Sequence, residues 1–141
     1  MGVVIDSSIF IAAERRRFDW IGFHSQMGAE PFYLTVVTLA ELVHGAQRAD
    51  SQERRETRNR FIAEIEARYP LLEFGRDEAM EYAGIWAELS VRGEMIGTHD
   101  LLIAAISRRH GYRVATLNGN EFRHVENLEI VDAEPFRLAK R

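Results

Sequence analysis

A chain of 141 residues is long enough for one domain and too short for two of ordinary size. Hydrophobic residues make up 46% of it, with ten glycines and three prolines, which is typical of a globular domain and excludes a disordered chain. No apolar run approaches the ~20 residues of a membrane-spanning helix, no basic segment or signal peptide precedes Asp6, and there is no cysteine. We therefore expect one domain over residues 1–141, in the cytoplasm, without disulfides or a thiolate zinc site.

The charged residues are balanced in an informative way. Eighteen basic residues stand against 22 acidic ones, giving a net charge of −4, and all the bases except Lys140 are arginines. Net acidity ordinarily argues against a nucleic-acid partner. If four of the acids bind divalent cations, however, 18 acidic and 18 basic residues remain. That remaining surface would be neutral overall and rich in guanidinium groups, which bind phosphate bidentately.

Hydrophobic periodicity and turn residues predict short strands that alternate with helices. In chain order we expect a strand at 3–5, helices at 9–13 and about 20–28, a strand at 32–36, helices from about 38 to 45 and at 51–69, a strand at 71–74, helices at about 76–92 and at 99–109, and strands at 113–117 and 128–131. Such alternation indicates an α/β fold with a mostly parallel sheet and helices on both faces. In these sheets ligands bind at the carboxyl ends of the strands.

Two of the predicted helices carry apolar residues at helical spacing, which indicates the face that each one buries. For the helix at 51–69 this face consists of Phe61, Ile62, Ile65 and Tyr69. For the helix at 76–92 it consists of Ala79, Tyr82, Ala83, Trp86 and Leu89. Aromatic residues in such positions are more often core or dimer surface than platforms for base stacking, so we expect both helices to serve packing.

Four acidic residues stand near the starts of predicted helices. Asp6 directly follows the first strand, and Glu41 lies in the opening turn of the helix after the second strand. Asp100 opens the helix at 99–109, and Glu121 follows the strand that ends at Leu117. Because the carboxyl ends of parallel strands meet at one edge of a sheet, the three acids that follow strands should project from the same edge.

Each acid also has a purely structural explanation. Acidic side chains favour the first turn of a helix, Thr38-x-x-Glu41 fits a capping box, and Asn118-x-x-Glu121 resembles one. The four together are harder to explain in this way, because clustered carboxylates repel one another and raise each other's pKa unless cations neutralise them. Binding of Mg²⁺ or Mn²⁺ gives a reason to build such a cluster.

Four segments carry a resemblance to a known family. They are residues 4–10 (VIDSSIF), 38–45 (TLAELVHG), 97–105 (GTHDLLIAA) and 116–122 (TLNGNEF). In this order and at these spacings they resemble the four motifs of PIN-domain nucleases, and most closely those of VapC toxins from bacterial toxin–antitoxin pairs. The resemblance covers essentially the whole chain, including the closing V-x-x-L-x-I pattern at 125–130.

The resemblance implies a PIN-like three-layer α/β/α sandwich with a five-stranded sheet in the order 3-2-1-4-5. It also implies hydrolysis of RNA phosphodiester bonds with Mg²⁺ or Mn²⁺, a homodimer, and neutralisation by a VapB-type antitoxin. By position, Asp6 and Asp100 would be the central metal ligands and catalytic residues, and Glu41 would complete the site. Glu121 would be the fourth acid, although in related nucleases this acid can stand at the position of Asn118.

Several alternatives remain open at this stage. Ser7, Thr116 and Asn118 lie beside the acids, where they would either position water or phosphate or form caps and turns. A receiver-type signalling domain also places an aspartate after its first strand, but it needs a lysine after its last strand, and Lys140 is the only lysine. A housekeeping RNA-processing nuclease and a catalytically silent PIN-like binding module are the other two alternatives.

Overall fold

The computed structural model describes residues 1–139, so Lys140 and Arg141 lie outside the described part. Its strands are β1 (Val3–Ile5), β2 (Phe32–Thr35), β3 (Leu71–Leu72), β4 (Arg113–Thr116) and β5 (Ile130–Asp132). They form one five-stranded sheet in the order β3-β2-β1-β4-β5, and every neighbouring pair is parallel. The predicted fold class and sheet order are confirmed.

The helices occupy the connections between these strands. They are α1 (Ser7–Glu14), α2 (Trp20–Met27), α3 (Val36–Gln47), α4 (Gln52–Arg68), α5 (Arg76–Arg92), α6 (Thr98–His110) and α7 (Gly119–Phe122). A 3-10 turn at Glu134–Phe136 follows β5, and an antiparallel bridge joins Phe18 to Arg137 beyond it. Neither feature was predicted.

The sheet separates two hydrophobic cores because alternate strand residues point to opposite faces. In β1, Val3 and Ile5 pack into one core with residues of α1, α2 and α4, whereas Val4 packs into the other with residues of α5 and α6. All three β1 side chains are fully buried. A strand covered on both faces needs a continuous apolar run, which is what the sequence provides at this point.

The start of α3 differs from the prediction. The helix begins at Val36, and the side chain of Thr35 caps it by accepting a hydrogen bond from the Thr38 amide at 3.1 Å. The predicted strand therefore ends before Val36, and Glu41 lies in the second turn rather than the first. The Thr38-x-x-Glu41 capping box is wrong, because Thr35 already occupies the N-cap position.

The buried face of α5 agrees with the prediction only in part. Leu89 is buried and Tyr82 packs against the same core, as predicted, together with the unpredicted Ile85. Trp86, however, is 52% exposed, and Ala79 and Ala83 are exposed. The predicted face of α4 is closer to the structure, since Ile62, Ile65 and Tyr69 are buried and Phe61 packs beside them. The strands β3 and β5 are shorter than predicted.

No helix among the described residues is both long and apolar enough to span a membrane.

Candidate active site

Asp6 stands where β1 passes into α1, at the carboxyl edge of the sheet. It occupies the N-cap position, but its side chain makes no capping hydrogen bond to the described helix. Instead, its Oδ2 accepts hydrogen bonds from Ser8 Oγ at 2.8 Å and from Thr116 Oγ1 at 2.9 Å. The carboxylate is 4% exposed. Two hydroxyl donors, one from the first turn of α1 and one from the end of β4, therefore fix the orientation of this buried carboxylate.

The two hydroxyl groups are themselves held in place by the backbone after β4. Ser8 Oγ accepts a hydrogen bond from the Leu117 amide at 3.1 Å, and Thr116 Oγ1 accepts one from the Asn118 amide at 2.9 Å. Each hydroxyl thus accepts one hydrogen bond from the backbone and donates another to Asp6. Oδ2 of Asp6 is therefore the final acceptor of two short hydrogen-bond chains. Thr116 was expected beside the acids, whereas the role of Ser8 was missed because its sequence position indicates only a helix cap.

Glu41 reaches the same edge from the second turn of α3. Its Oε2 accepts a hydrogen bond from Ser7 Oγ at 3.3 Å and lies 3.9 Å from Nδ1 of the exposed His99. Its Oε1 is buried and has no hydrogen-bond partner within the described residues. Burial raises the pKa of the Glu41 carboxyl, and the negative charge of Asp6 adds to the increase. A half-buried carboxylate with one unpaired oxygen is well suited to bind a cation.

Asp100 and Glu121 form a pair in which burial is unequal. Asp100 lies in the first turn of α6 and is half-buried, whereas Glu121 is exposed on the short helix α7. Glu121 Oε2 accepts a hydrogen bond from the Gly97 amide at 3.5 Å. Burial, a hydrogen bond with Glu121 and the charges of Asp6, Glu121 and Glu41 raise the pKa of Asp100 to about 8. The hydrogen bond with Asp100 lowers the pKa of Glu121, so the pair holds one proton on Asp100 near neutral pH.

The structure therefore brings together the four acids that the sequence singled out. Asp6 contributes to the raised pKa of both Glu41 and Asp100, and Glu41 and Glu121 contribute to that of Asp100. The Asn118-x-x-Glu121 capping box is wrong, because the N-cap residue Asn118 makes no side-chain cap within α7. Gly97, whose amide holds Glu121, was part of a recognised motif but was not assigned a contact.

The cluster has the chemistry of a cation site without a fully assembled coordination shell. Among residues 1–139, no three His, Asp or Glu side chains form a ready-made metal site. The donor set nevertheless fits Mg²⁺ or Mn²⁺: it consists of carboxylates, one of which has a buried unpaired oxygen and another a strongly raised pKa. A divalent cation would replace the proton on Asp100 and offset the repulsion among the four carboxylates.

The raised pKa of Asp100 predicts how metal-free stability depends on pH. Between its ordinary pKa of 3.8 and its pKa of about 8 in the protein, the folded state holds a proton that the unfolded chain releases. The stabilisation that this bound proton provides is therefore complete below about pH 4. It declines as the pH rises and is lost above about pH 8. In chelator, the melting temperature of the wild type should fall between pH 6 and pH 9 by more than that of Asp100→Asn. An equal fall in the melting temperatures of the two proteins would contradict a raised pKa at Asp100.

Comparisons with known proteins give the chain a family. The family model of the PIN domain matches residues 3–128. Ribonuclease VapC1 of Rickettsia felis is 36% identical over 131 residues, covering 93% of this chain and 96% of the relative. Ribonuclease VapC of Rickettsia bellii is 34% identical with the same coverage. The chain belongs to the PIN domain family, and its relatives at this level of identity are named VapC ribonucleases.

Solved structures of low sequence identity share the fold. The DNA-bound VapBC of Salmonella typhimurium has a chain with a TM-score of 0.83 and 23% identity, covering 94% of this chain and 98% of that one. VapBC-1 of nontypeable Haemophilus influenzae has a chain with a TM-score of 0.83 and 24% identity, covering 95% of this chain and 99% of that one. The three-layer arrangement and sheet order are therefore those of a PIN domain.

Proposed function

We propose that this protein is a divalent-metal-dependent ribonuclease that hydrolyses RNA phosphodiester bonds in the cytoplasm. The observation that carries the proposal is the convergence of Asp6, Glu41, Asp100 and Glu121 at the carboxyl edge of a parallel sheet. Relatives at 36% and 34% identity carry the name ribonuclease, which supports the choice of RNA as substrate. Net acidity does not oppose this choice, because the four clustered acids equal the whole excess of acidic over basic residues.

The four acids would hold Mg²⁺ or Mn²⁺ together. When bound, such an ion neutralises phosphate charge and lowers the pKa of water, so that water can serve as the nucleophile. Asp6, fixed by two hydroxyl donors, and Asp100, which must give up its proton, would be the central ligands. Glu41 offers its unpaired Oε1, and the exposed Glu121 would be a peripheral ligand.

The structure favours Glu121 over Asn118 as the fourth metal ligand. Glu121 shares a hydrogen bond with Asp100, whereas the hydrogen bond that ties Asn118 to this edge comes from its backbone amide, and its side chain is exposed. A carboxylate is also a stronger ligand for Mg²⁺ or Mn²⁺ than a neutral amide because it carries a full negative charge. We therefore assign the fourth position to Glu121.

Metal binding should stabilise the folded protein. At a Mn²⁺ concentration one hundred times the Kd, the gain is about 2.7 kcal/mol, or ~8 °C in melting temperature for a domain of this size. Asp6→Asn should remove most of this gain and Glu121→Gln a smaller part, because Asp6 is the buried central acid and Glu121 is exposed. The measurement is a set of melting curves with and without Mn²⁺ on the wild type and both variants.

Glu66→Gln is the matched control for these melting curves, since Glu66 is an exposed acid on α4 outside the cluster. It should keep the full Mn²⁺-dependent gain. A wild-type melting temperature that does not change at millimolar Mn²⁺ would leave the four acids without a role in metal binding.

We further propose that the ribonuclease is the toxin of a toxin–antitoxin pair and that a VapB-type antitoxin neutralises it. The support comes from the family, since structural neighbours with TM-scores of 0.82 and 0.83 are chains of VapBC complexes. A housekeeping RNA-processing nuclease would share the fold and the acids but would not harm a growing cell. A silent binding module would lack cleavage altogether, and the clustering of all four acids favours an active site.

A homodimer is supported by the outward face of α5. Opposite its buried residues, this helix presents an apolar stripe of Met80, Ala83, Gly84, Ala87 and Val91. Met80 is 61% exposed and Val91 is 88% exposed. A helix that is apolar on two opposite faces has a second surface to bury, and the small residues in the middle of the stripe allow another helix to approach closely. We propose that a second copy of the chain covers this stripe.

Ala87→Glu should convert the dimer to a monomer, because it places a charge and a long side chain at the centre of the stripe. The matched control is Ala63→Glu, the same change at an exposed position of α4. Sedimentation equilibrium of the three proteins measures the effect. A wild type that is already monomeric, or an Ala87→Glu variant as dimeric as the control, would contradict the proposed dimer surface.

A further inference from the structure

Glu121 stands on an element that is too short to position it. The helix α7 has four residues, and a single helical turn is unstable in isolation because its nucleation cost is not repaid. Its N-cap residue, Asn118, adds no side-chain hydrogen bond to the described helix. The direction in which Glu121 projects must therefore be set by contacts outside α7.

One set of contacts is apolar and anchors the inner side of this turn. Phe122 is fully buried and Val125 is 3% exposed, and both belong to the core formed with α5 and α6. Ile96, in the loop that carries Gly97, belongs to the same core, so these apolar contacts fix the depth of the turn and hold the two segments together. Apolar packing is not directional, however, and does not by itself orient the Glu121 carboxylate.

The other set of contacts is polar and centres on Arg92, the last residue of α5. Its Nη2 donates a hydrogen bond to the carbonyl oxygen of His124, and the His124 amide donates one to the Glu121 carbonyl at 3.2 Å. The Nε atom of Arg92 lies 3.6 Å from Glu94 Oε2, and that oxygen lies 3.0 Å from His124 Nδ1. We call Arg92, Glu94 and His124 the Arg92 clamp.

The clamp joins the same two segments that meet at the acid cluster. Glu94 belongs to the loop between α5 and α6, and this loop ends at Gly97, whose amide donates to Glu121 Oε2 at 3.5 Å. His124 belongs to the turn that follows α7. Two polar contacts thus join these segments, one at the clamp and one between Gly97 and Glu121, in addition to the apolar core that both segments share.

We propose that Arg92 is a positioning residue that holds Glu121 at the acid cluster by fixing the turn after α7 against the loop before α6. The proposal rests on the proposed function, since it concerns the peripheral ligand of the same metal site. Arg92 does not contact the acids itself and acts through the backbone of His124. Its guanidinium suits this role because its planar fork can serve a carbonyl and carboxylates at once.

The test is a double-mutant cycle read by Mn²⁺ affinity. Calorimetric titration with Mn²⁺ is carried out on the wild type, Arg92→Gln, Glu121→Gln and the double variant. Loss of a group that orients a ligand costs about 10-fold to 100-fold in metal affinity, and we expect about 10-fold for Arg92→Gln. In the Glu121→Gln background, Arg92→Gln should weaken Mn²⁺ binding no further, because the ligand that it positions is gone.

Two further variants keep this cycle decisive. Arg109→Gln removes an arginine that pairs with Asp77 at 3.0 Å away from the cluster, and it should bind Mn²⁺ as the wild type does. Glu94→Gln changes an exposed loop residue and removes the negative charge that faces Arg92 and His124, without altering α5. It should weaken Mn²⁺ binding in the same direction as Arg92→Gln but by less, because Arg92 keeps its hydrogen bond to the His124 carbonyl. If Arg92→Gln does not fold, Glu94→Gln alone and combined with Glu121→Gln completes the cycle.

The possible failures are distinguishable. A wild type that binds no Mn²⁺ overturns the proposed function and with it the role of Arg92. A wild type that binds Mn²⁺ with the same affinity as Arg92→Gln and Glu94→Gln overturns only the positioning role. The positioning role is also overturned if Arg92→Gln weakens Mn²⁺ binding equally in the presence and absence of the Glu121 carboxylate. Arg92 would then act through the whole fold and not through Glu121.

Discussion

Asp100→Asn should abolish RNA cleavage while leaving the fold intact. Asparagine has the shape of the protonated aspartic acid that the metal-free protein already holds, so the core around α6 is unchanged. It cannot supply the negative charge that a divalent cation needs. Orienting groups outside the ligand shell are worth about 10-fold to 100-fold, so we expect the loss of a central ligand to cost at least ~10³-fold in rate, or ~4 kcal/mol.

Asp77→Asn provides the matched control for this variant. Asp77 also lies in the first turn of a helix, α5, and it pairs with Arg109 rather than with the acid cluster. If Asp100 served only to stabilise the positive end of its helix, the two variants would behave alike. The measurement is the initial rate of cleavage of a purified RNA in millimolar Mg²⁺, with circular dichroism to verify folding. Cleavage by Asp100→Asn at a rate near that of the wild type would contradict the four-acid site.

Induced synthesis of the wild-type protein alone should stop bacterial growth. Uncontrolled hydrolysis of RNA removes templates or adaptors that every cell needs, and the proposed antitoxin would be absent. Asp100→Asn should be harmless at the same level of soluble protein, because it keeps the surface and loses the chemistry. The measurement is growth and viable count after induction of each protein.

This experiment separates the toxin from the housekeeping alternative. Co-expression of a cognate antitoxin should restore growth of cells that make the wild type. Unimpaired growth with soluble wild-type protein that cleaves RNA after purification would favour a housekeeping nuclease. Growth arrest by Asp100→Asn as well would show that the toxicity does not come from RNA cleavage.

The sheet was predictable from the sequence because its central strands must be apolar throughout. Val3, Val4 and Ile5 are buried on both faces of the sheet, and a strand in that position tolerates no polar residue. The approximate grouping of Asp6, Glu41 and Glu121 followed from parallel strands, whose carboxyl ends share an edge. The hydrogen bond from Thr116 to Asp6 was not predictable, because the two residues are 110 positions apart in the chain and meet only in the fold.

The errors have a common physical cause, which is that local patterns compete with tertiary contacts. Thr38 and Glu41 have the spacing of a capping box, but Thr35 takes the cap, and Glu41 bonds to Ser7. The face of α5 was predicted correctly for Tyr82 and Leu89 but not for Ala79, Ala83 and Trp86, because that helix is apolar on two sides and periodicity alone does not say which side meets the sheet. A second apolar face is itself the signal of another surface to bury, and the apolar Met80 and Val91 are exposed on it.

One assay tests the central claim directly: cleavage of a defined RNA by the wild type and Asp100→Asn, each in millimolar Mn²⁺ and in chelator. We predict cleavage only by the wild type with Mn²⁺, and its return when Mn²⁺ is added back in excess of the chelator. The protein should remain folded in chelator, since a carboxylate site for Mg²⁺ or Mn²⁺ does not hold a domain together. Full cleavage in chelator, or equal cleavage by Asp100→Asn, would contradict a metal-dependent active site built from these acids.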